Sequence, residues 1–121
     1  MRFLDRLRPA KPYRELRPAE ADEAVRNGAL LIDVRAQDEW DAGHAPVALH
    51  VPVRRLPERV TRLPKGRELV LVCRSGSRSA AAAELLAVKG LPVANVAGGM
   101  RAWAKAGLPL QGTGGRPGRV A

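Results

Sequence analysis

Leu69-Val70-Leu71-Val72-Cys73-Arg74-Ser75-Gly76-Ser77-Arg78-Ser79, continued by Ala80-Ala81-Ala82-Ala83, decides the fold. Four consecutive aliphatic residues have the length and continuity of a strand buried on both faces, and the alanine-rich run after them favours a helix. The chain's single cysteine therefore stands at a strand-to-helix turn. In an open parallel sheet, ligands and reactive groups gather where strands end and helices begin, because unpaired amides and the helix dipole point there. Ser75, Gly76, Ser77 and Ser79 are small enough for successive amides to turn inward, while Arg74 and Arg78 add positive charge. Such surroundings lower a cysteine's pKa below its free value of about 8.5. Cys73 could instead be a small apolar residue closing a buried strand. The glycine, serines and arginines favour the reactive thiol.

Outward from this stretch, helices and strands alternate. A helix is expected from Pro18, with Ala21, Ala24 and Val25 turned inward and Asn27-Gly28 as its stop. Ala29 to Val34 follows as a buried strand, then a short helix over Gln37 to Ala42 and a brief strand near Leu49 to Val51. Leu56, Val60 and Leu63 recur at helical spacing before Pro64. Leu69 to Cys73 is a strand, Ser79 to Lys89 a helix closed by Gly90, and Val93 to Val96 a further core strand. The pattern predicts an α/β fold, a small parallel sheet flanked by helices on both faces with right-handed crossovers. Gly98 and Gly99 fit another strand-to-helix turn, one that borders the pocket.

Length and composition bound the rest. A chain of 121 residues with 45% hydrophobic content has room for one domain with a real core. Residues 1–12 are expected as an N-terminal extension, 13–111 as the domain and 112–121 as a flexible basic tail, too rich in glycine and arginine to bury apolar area. In the extension, Phe3, Leu4 and Leu7 fit either one face of a short docking helix or a frayed tail. Met1 to Tyr13 interleaves charges with apolar residues, so no continuous membrane-spanning run appears there, and the expectation is a soluble, cytoplasmic protein. One cysteine excludes an internal disulfide, and His44 and His50 have no zinc or haem spacing, so no metal or cofactor is expected. The formal net charge of +9 favours anionic partners. Its arginines are dispersed and its aromatic content is only 3%, which argues against nucleic acid as the primary partner. Trp40 and Trp103 read as packing residues, and His50 as an ordinary polar one.

Several separated motifs, in order, resemble the rhodanese (thiosulfate sulfurtransferase) family. Leu31-Ile32-Asp33-Val34-Arg35 is similar to its first core strand, and Glu39-Trp40 with Gly43-His44-Ala45-Pro46 to its glutamate-aromatic and glycine-histidine-x-proline segment. Cys73 to Ser79 resembles its active-site loop, and Gly98-Gly99-Met100-Arg101-Ala102-Trp103 with Gly107-Leu108-Pro109 its closing segment. The likeness runs from Tyr13 to Leu110. Val47 departs from a usual glycine and Ala45 from a usual larger aliphatic. Four residues separate Cys73 from Arg78, one fewer than in the phosphatases that resemble this fold, and the shorter loop suits a sulfane sulfur.

The resemblance implies a sulfurtransferase in which Cys73 takes a sulfane sulfur from thiosulfate or a persulfide donor and passes it to a thiophilic acceptor. Arg74, Ser75, Gly76, Ser77, Arg78 and Ser79 are then the substrate-binding and persulfide-stabilising loop, in two half-reactions of covalent catalysis. Asp33 and Arg35 fall at the end of the first core strand, where they are expected to pair with each other or brace the loop. His44 is implied to be structural. The expected partners are a small anionic sulfur donor, an external thiol or cyanide as acceptor, and a sulfur-acceptor protein. The alternative is a persulfide carrier or interaction module that delivers sulfur to a thiolation partner with little thiosulfate:cyanide turnover. A binding domain with negligible turnover is disfavoured by the intact loop. An exposed thiolate with no resolving partner is also expected to be prone to over-oxidation.

Overall fold

The computed structural model describes residues 11–121. The expectations placed on Phe3, Leu4 and Leu7 lie outside that range. Five parallel strands form one sheet in the order β1-β5-β4-β2-β3, with β1 at Arg14–Leu16, β2 at Leu30–Asp33, β3 at Leu49–His50, β4 at Leu69–Val72 and β5 at Val93–Val96. β4 and β5 are buried at every position. Their continuous aliphatic sequence follows from that place, since a central parallel strand meets helices on both faces.

Side-chain alternation divides the core in two. Leu31, Val70, Val72, Ala94 and Val96 pack with Met100 and Trp103 on one face. Ile32, Leu69, Leu71, Cys73 and Val93 pack with Leu56, Ala82, Ala83 and Leu86 on the other. Helix α1, Pro18–Arg26, begins with proline at a position whose amide needs no partner, and the Glu20 carboxylate accepts the Arg17 N–H at 2.8 Å. Helix α2 is Gln37–Ala42 and helix α4 is Ser77–Val88. Helix α5, Gly99–Lys105, seats Trp103 in the core, its indole N–H donating to the Pro109 carbonyl at 2.9 Å.

Three local expectations change. The segment from Leu56 to Leu63 is a broken helix: a 3-10 turn at Val53–Arg55, a four-residue α3 at Leu56–Arg59 and another 3-10 turn at Val60–Arg62. Leu56 is fully buried and Val60 and Leu63 pack, part-buried, against the same core cluster, so the expected apolar stripe is kept although the helix that carries it is broken. β1 had no signal in three residues, two exposed and only Leu16 buried; its pairing with β5 creates it. Where a flexible tail was expected after residue 111, the structure lays the chain back on the domain. The Arg119 N–H donates to the Ala42 carbonyl at 2.9 Å, Gly112 to Arg116 at 2.9 Å, and Gln111 and His44 exchange main-chain bonds at 2.9 and 3.0 Å. Main-chain pairing places this segment, together with Val120, which packs part-buried against the core.

Candidate active site

β4 delivers Cys73 to the edge of the sheet, and α4 begins four residues later. The left-handed conformation of Gly76 (φ 104°) makes the turn. The helix starts two residues before the expected Ser79, so Ser79 lies within its first turn, where amides have no intrahelical acceptor. Its amide turns to sulfur. Cys73 Sγ accepts the Gly76 N–H at 3.1 Å, the Ser79 N–H at 3.4 Å and the Ser79 hydroxyl at 3.2 Å. Burial pushes the thiol pKa up, but hydrogen bonds from the Ser79 hydroxyl and from the amides of Ser79, Gly76 and Ser75 outweigh it, and Cys73 stays below the ordinary thiol range. The residue is fully buried, not exposed as expected, because its side chain sits in the apolar layer under α4. Cys73 is thus at once a core residue and a hydrogen-bonded sulfur.

The loop is held from behind by the next strand-to-helix turn. The Met100 N–H donates to the Cys73 carbonyl at 2.7 Å and the Arg101 N–H to the Arg74 carbonyl at 3.1 Å. These bonds turn the loop carbonyls outward and leave its amides facing Sγ. A side chain at Gly99 would collide with those same two carbonyls. Asn95, buried in β5, donates through Nδ2 to the Gly76 carbonyl at 3.2 Å and to the Glu15 carboxylate at 3.1 Å. The reading of the sequence missed Asn95 and Glu15. A single amide inside the aliphatic run Val93-Ala94-Asn95-Val96 was the available signal, since a buried polar group needs partners.

The two loop arginines do not converge on the thiol. Arg78 forms a two-pronged pair with Glu39, Nη1 to Oε1 at 2.8 Å and Nη2 to Oε2 at 2.9 Å, and Glu39 also accepts the Ala36 N–H at 3.1 Å. The Arg78 guanidinium holds the Glu39 carboxyl at about 2, far below its usual value near 4.5. Arg74 Nε donates to the Ala121 carbonyl at 2.7 Å. Ser75 contributes its amide, and Ser77 opens α4.

Asp33 and Arg35 pair with each other, both fully buried, with Nη2 to Oδ2 at 2.8 Å and Nε to Oδ1 at 2.9 Å. Arg35 Nη2 also donates to the Gly43 carbonyl at 2.7 Å. The pair therefore fastens the turn after α2, while the Cys73 loop is fastened by α5 and Asn95. His44 Nδ1 lies 2.8 Å from the Trp40 carbonyl, with its ring stacked on Trp40 at 3.6 Å. His50 is more than an ordinary polar residue: it stacks on Trp40 at 4.7 Å, and its Nε2 lies 2.8 Å from the Arg35 carbonyl. Among the described residues, no three His, Cys, Asp or Glu side chains group to hold a metal, and no helix is long and apolar enough to cross a membrane.

A thiol ringed by amides at a strand-to-helix turn is one feature of a wider likeness: residues 17–106 match the model of the rhodanese-like domain. The chain belongs to the rhodanese-like domain family. It is 43% identical over 82 residues to a sulfurtransferase of Allochromatium vinosum, covering 67% of this chain and 77% of that protein. It is 42% identical over 84 residues to a putative sulfurtransferase of Bacillus subtilis, covering 69% and 78%. Among solved structures, a rhodanese-related protein of Thermoplasma volcanium superposes with a TM-score of 0.75 at 31% identity, covering 81% of this chain and 97% of that one. This rhodanese-like domain thus has the small parallel sheet expected of it, with β1 as a fifth strand.

Proposed function

We propose that the protein is a sulfurtransferase whose sulfur-carrying group is Cys73. The hydrogen-bonded Cys73 sulfur carries this reading: a neutral, inert core thiol needs no donors, whereas a thiolate and a persulfide both do. In the first half-reaction the Cys73 thiolate attacks the outer sulfur of thiosulfate. A new S–S bond forms, the old one breaks, and sulfite leaves with the electron pair and both negative charges. Cys73 then carries an anionic persulfide. In the second, a nucleophile such as cyanide attacks the terminal sulfur, thiocyanate departs and the thiolate returns. An organic persulfide enters by the same exchange, with its thiolate as leaving group.

No general base is required when the loop already favours the ionised sulfur. The amides of Ser75, Gly76 and Ser79 meet the negative charge at each stage, and Arg74 and Arg78 add positive field while keeping their own partners. Asp33 and Arg35 act structurally, through the Gly43 turn. Because the chain has no second cysteine, the acceptor comes from outside it.

The test is intact mass after incubation with thiosulfate, beside Cys73→Ser, followed by cyanide and a thiocyanate assay. One added sulfur confined to the wild type and discharged by cyanide is the expected result. Loading on both proteins would overturn the role of Cys73. Loading that discharges to a protein thiol but not to cyanide would favour the carrier alternative.

A further inference from the structure

A cleft of about 580 Å³ opens beside the Cys73 loop, with Arg54, Arg55, Arg59 and Arg78 among its lining residues and no carboxylate. It touches the thiol's surroundings twice. Arg78 belongs to the first turn of α4, and Val34, which also lines the cleft, shares the apolar cluster of Cys73 and donates its N–H to the Val72 carbonyl at 3.0 Å.

The basic wall is a consequence of the broken helix. Leu56 is buried and fixes the segment, while the residues on either side of it are exposed. Arg54 and Arg55 close the 3-10 turn that leads into α3, and Arg59 ends α3, so the three stand on one short segment. Arg78 is paired with Glu39, but none of the ion pairs formed among the described residues engages Arg54, Arg55 or Arg59. Three like charges on one short segment repel one another. That arrangement costs stability unless an anion relieves it.

We infer that this cleft docks the anionic body of a low-molecular-weight organic persulfide, one carrying two or more carboxylate or phosphate groups, with its sulfur end toward Cys73. Thiosulfate is far smaller than the space, whereas sites for drug-sized ligands span roughly 300–1,000 Å³. Arginine forks match carboxylate and phosphate geometry alike. The inference rests on the sulfur-transfer reading of Cys73 and adds the class of donor. In the exchange, the Cys73 thiolate takes the terminal sulfur, the donor's S–S bond breaks, and its thiolate leaves still held by the arginines.

Two arms test it. First, S-methylglutathione (carboxylates) and S-methyl-coenzyme A (phosphates) are titrated calorimetrically into Cys73→Ser, with and without the triple change Arg54→Ala, Arg55→Ala, Arg59→Ala. Second, sulfur loading of Cys73 by glutathione persulfide, coenzyme A persulfide and thiosulfate is timed by intact mass in the wild type and in the triple variant. At least one analogue is expected to bind, and its identity distinguishes carboxylate from phosphate. Removing the arginines is expected to weaken that binding and slow the matching persulfide by about tenfold, while thiosulfate loading falls by less than about threefold, as loss of a distant charge would give. Equal slowing for all donors would reduce the cleft to a general field, and binding by neither analogue would overturn the inference. Failure of the sulfur reading looks different: no donor loads Cys73 while arginine-dependent binding persists, which keeps a polyanion cleft and overturns its assignment to a sulfur donor. The arginines are exposed, so unfolding of the triple variant on thermal melting is not expected.

Discussion

Two strand-to-helix turns lie side by side at the same edge of the sheet, built alike and used differently. The β4–α4 turn starts its helix behind a left-handed Gly76, and the β5–α5 turn behind a left-handed Gly98. Both leave helix-initial amides without intrahelical partners. In the second turn, the amides of Met100 and Arg101 are satisfied by the carbonyls of Cys73 and Arg74. In the first, amides of Gly76 and Ser79 are satisfied by a sulfur. One turn spends its donors on the backbone and so fixes the other's donors on a group that can react.

Cys73→Ser tests the difference most severely. It removes the acceptor that distinguishes the first turn and is expected to abolish sulfur transfer, with a thermal midpoint close to wild type because a hydroxyl can occupy the same hydrogen bonds. Appreciable turnover in a thiocyanate assay would break the comparison.

Gly99→Val attacks the interlock. Its side chain would meet the Cys73 and Arg74 carbonyls in a backbone conformation that valine avoids. A loss of about 2 kcal/mol or more is expected in urea unfolding, with transfer falling further than the folded fraction accounts for. Full activity in the folded fraction would mean that the two turns are independent.

Ser79→Ala leaves both turns folded and takes one donor from the sulfur. The thiol pKa is expected to rise, so the pH profile of iodoacetamide alkylation shifts to higher pH. Loss of one charge-assisted bond is also expected to slow sulfur loading by about tenfold. An unchanged profile would show that the amides alone set the ionisation.

The smallest effect is expected from Glu39→Gln, because the Glu39–Arg78 pair anchors only the first turn, from its solvent side. The loss is about 1 kcal/mol at neutral pH. The folded-state pKa of Glu39 is depressed to about 2. Its contribution is therefore present above about 4.5 and is lost as pH falls toward 2. Wild type and variant should converge in stability over that acidic window, and a constant gap would assign the loss to packing.

Much of this was legible in the sequence where neighbours in the chain are neighbours in function. Cys73, Gly76 and Ser79 lie within seven residues, and a strand-to-helix turn brings them together by local geometry. The aliphatic runs at Leu69–Val72 and Val93–Val96 named the central strands, because burial on both faces leaves only apolar choices. Arg78 and Glu39 were both visible as motif residues, yet their pairing was not. They are 39 positions apart, and a charge carries no record of its partner. Asn95, Glu15 and the basic cleft were likewise hidden, since each is defined by elements that meet only across the sheet.

The sequence by itself determined the alternation of elements, the parallel sheet and the position of the thiol at a turn, because hydrophobic period, glycine and proline act over a few residues. Tertiary structure alone decided which amides face that sulfur. The amides of α5 had to reach the carbonyls of Cys73 and Arg74 before those of Gly76 and Ser79 were fixed on the sulfur, and hydrogen bonds between turns depend on packing distance, which no local pattern encodes.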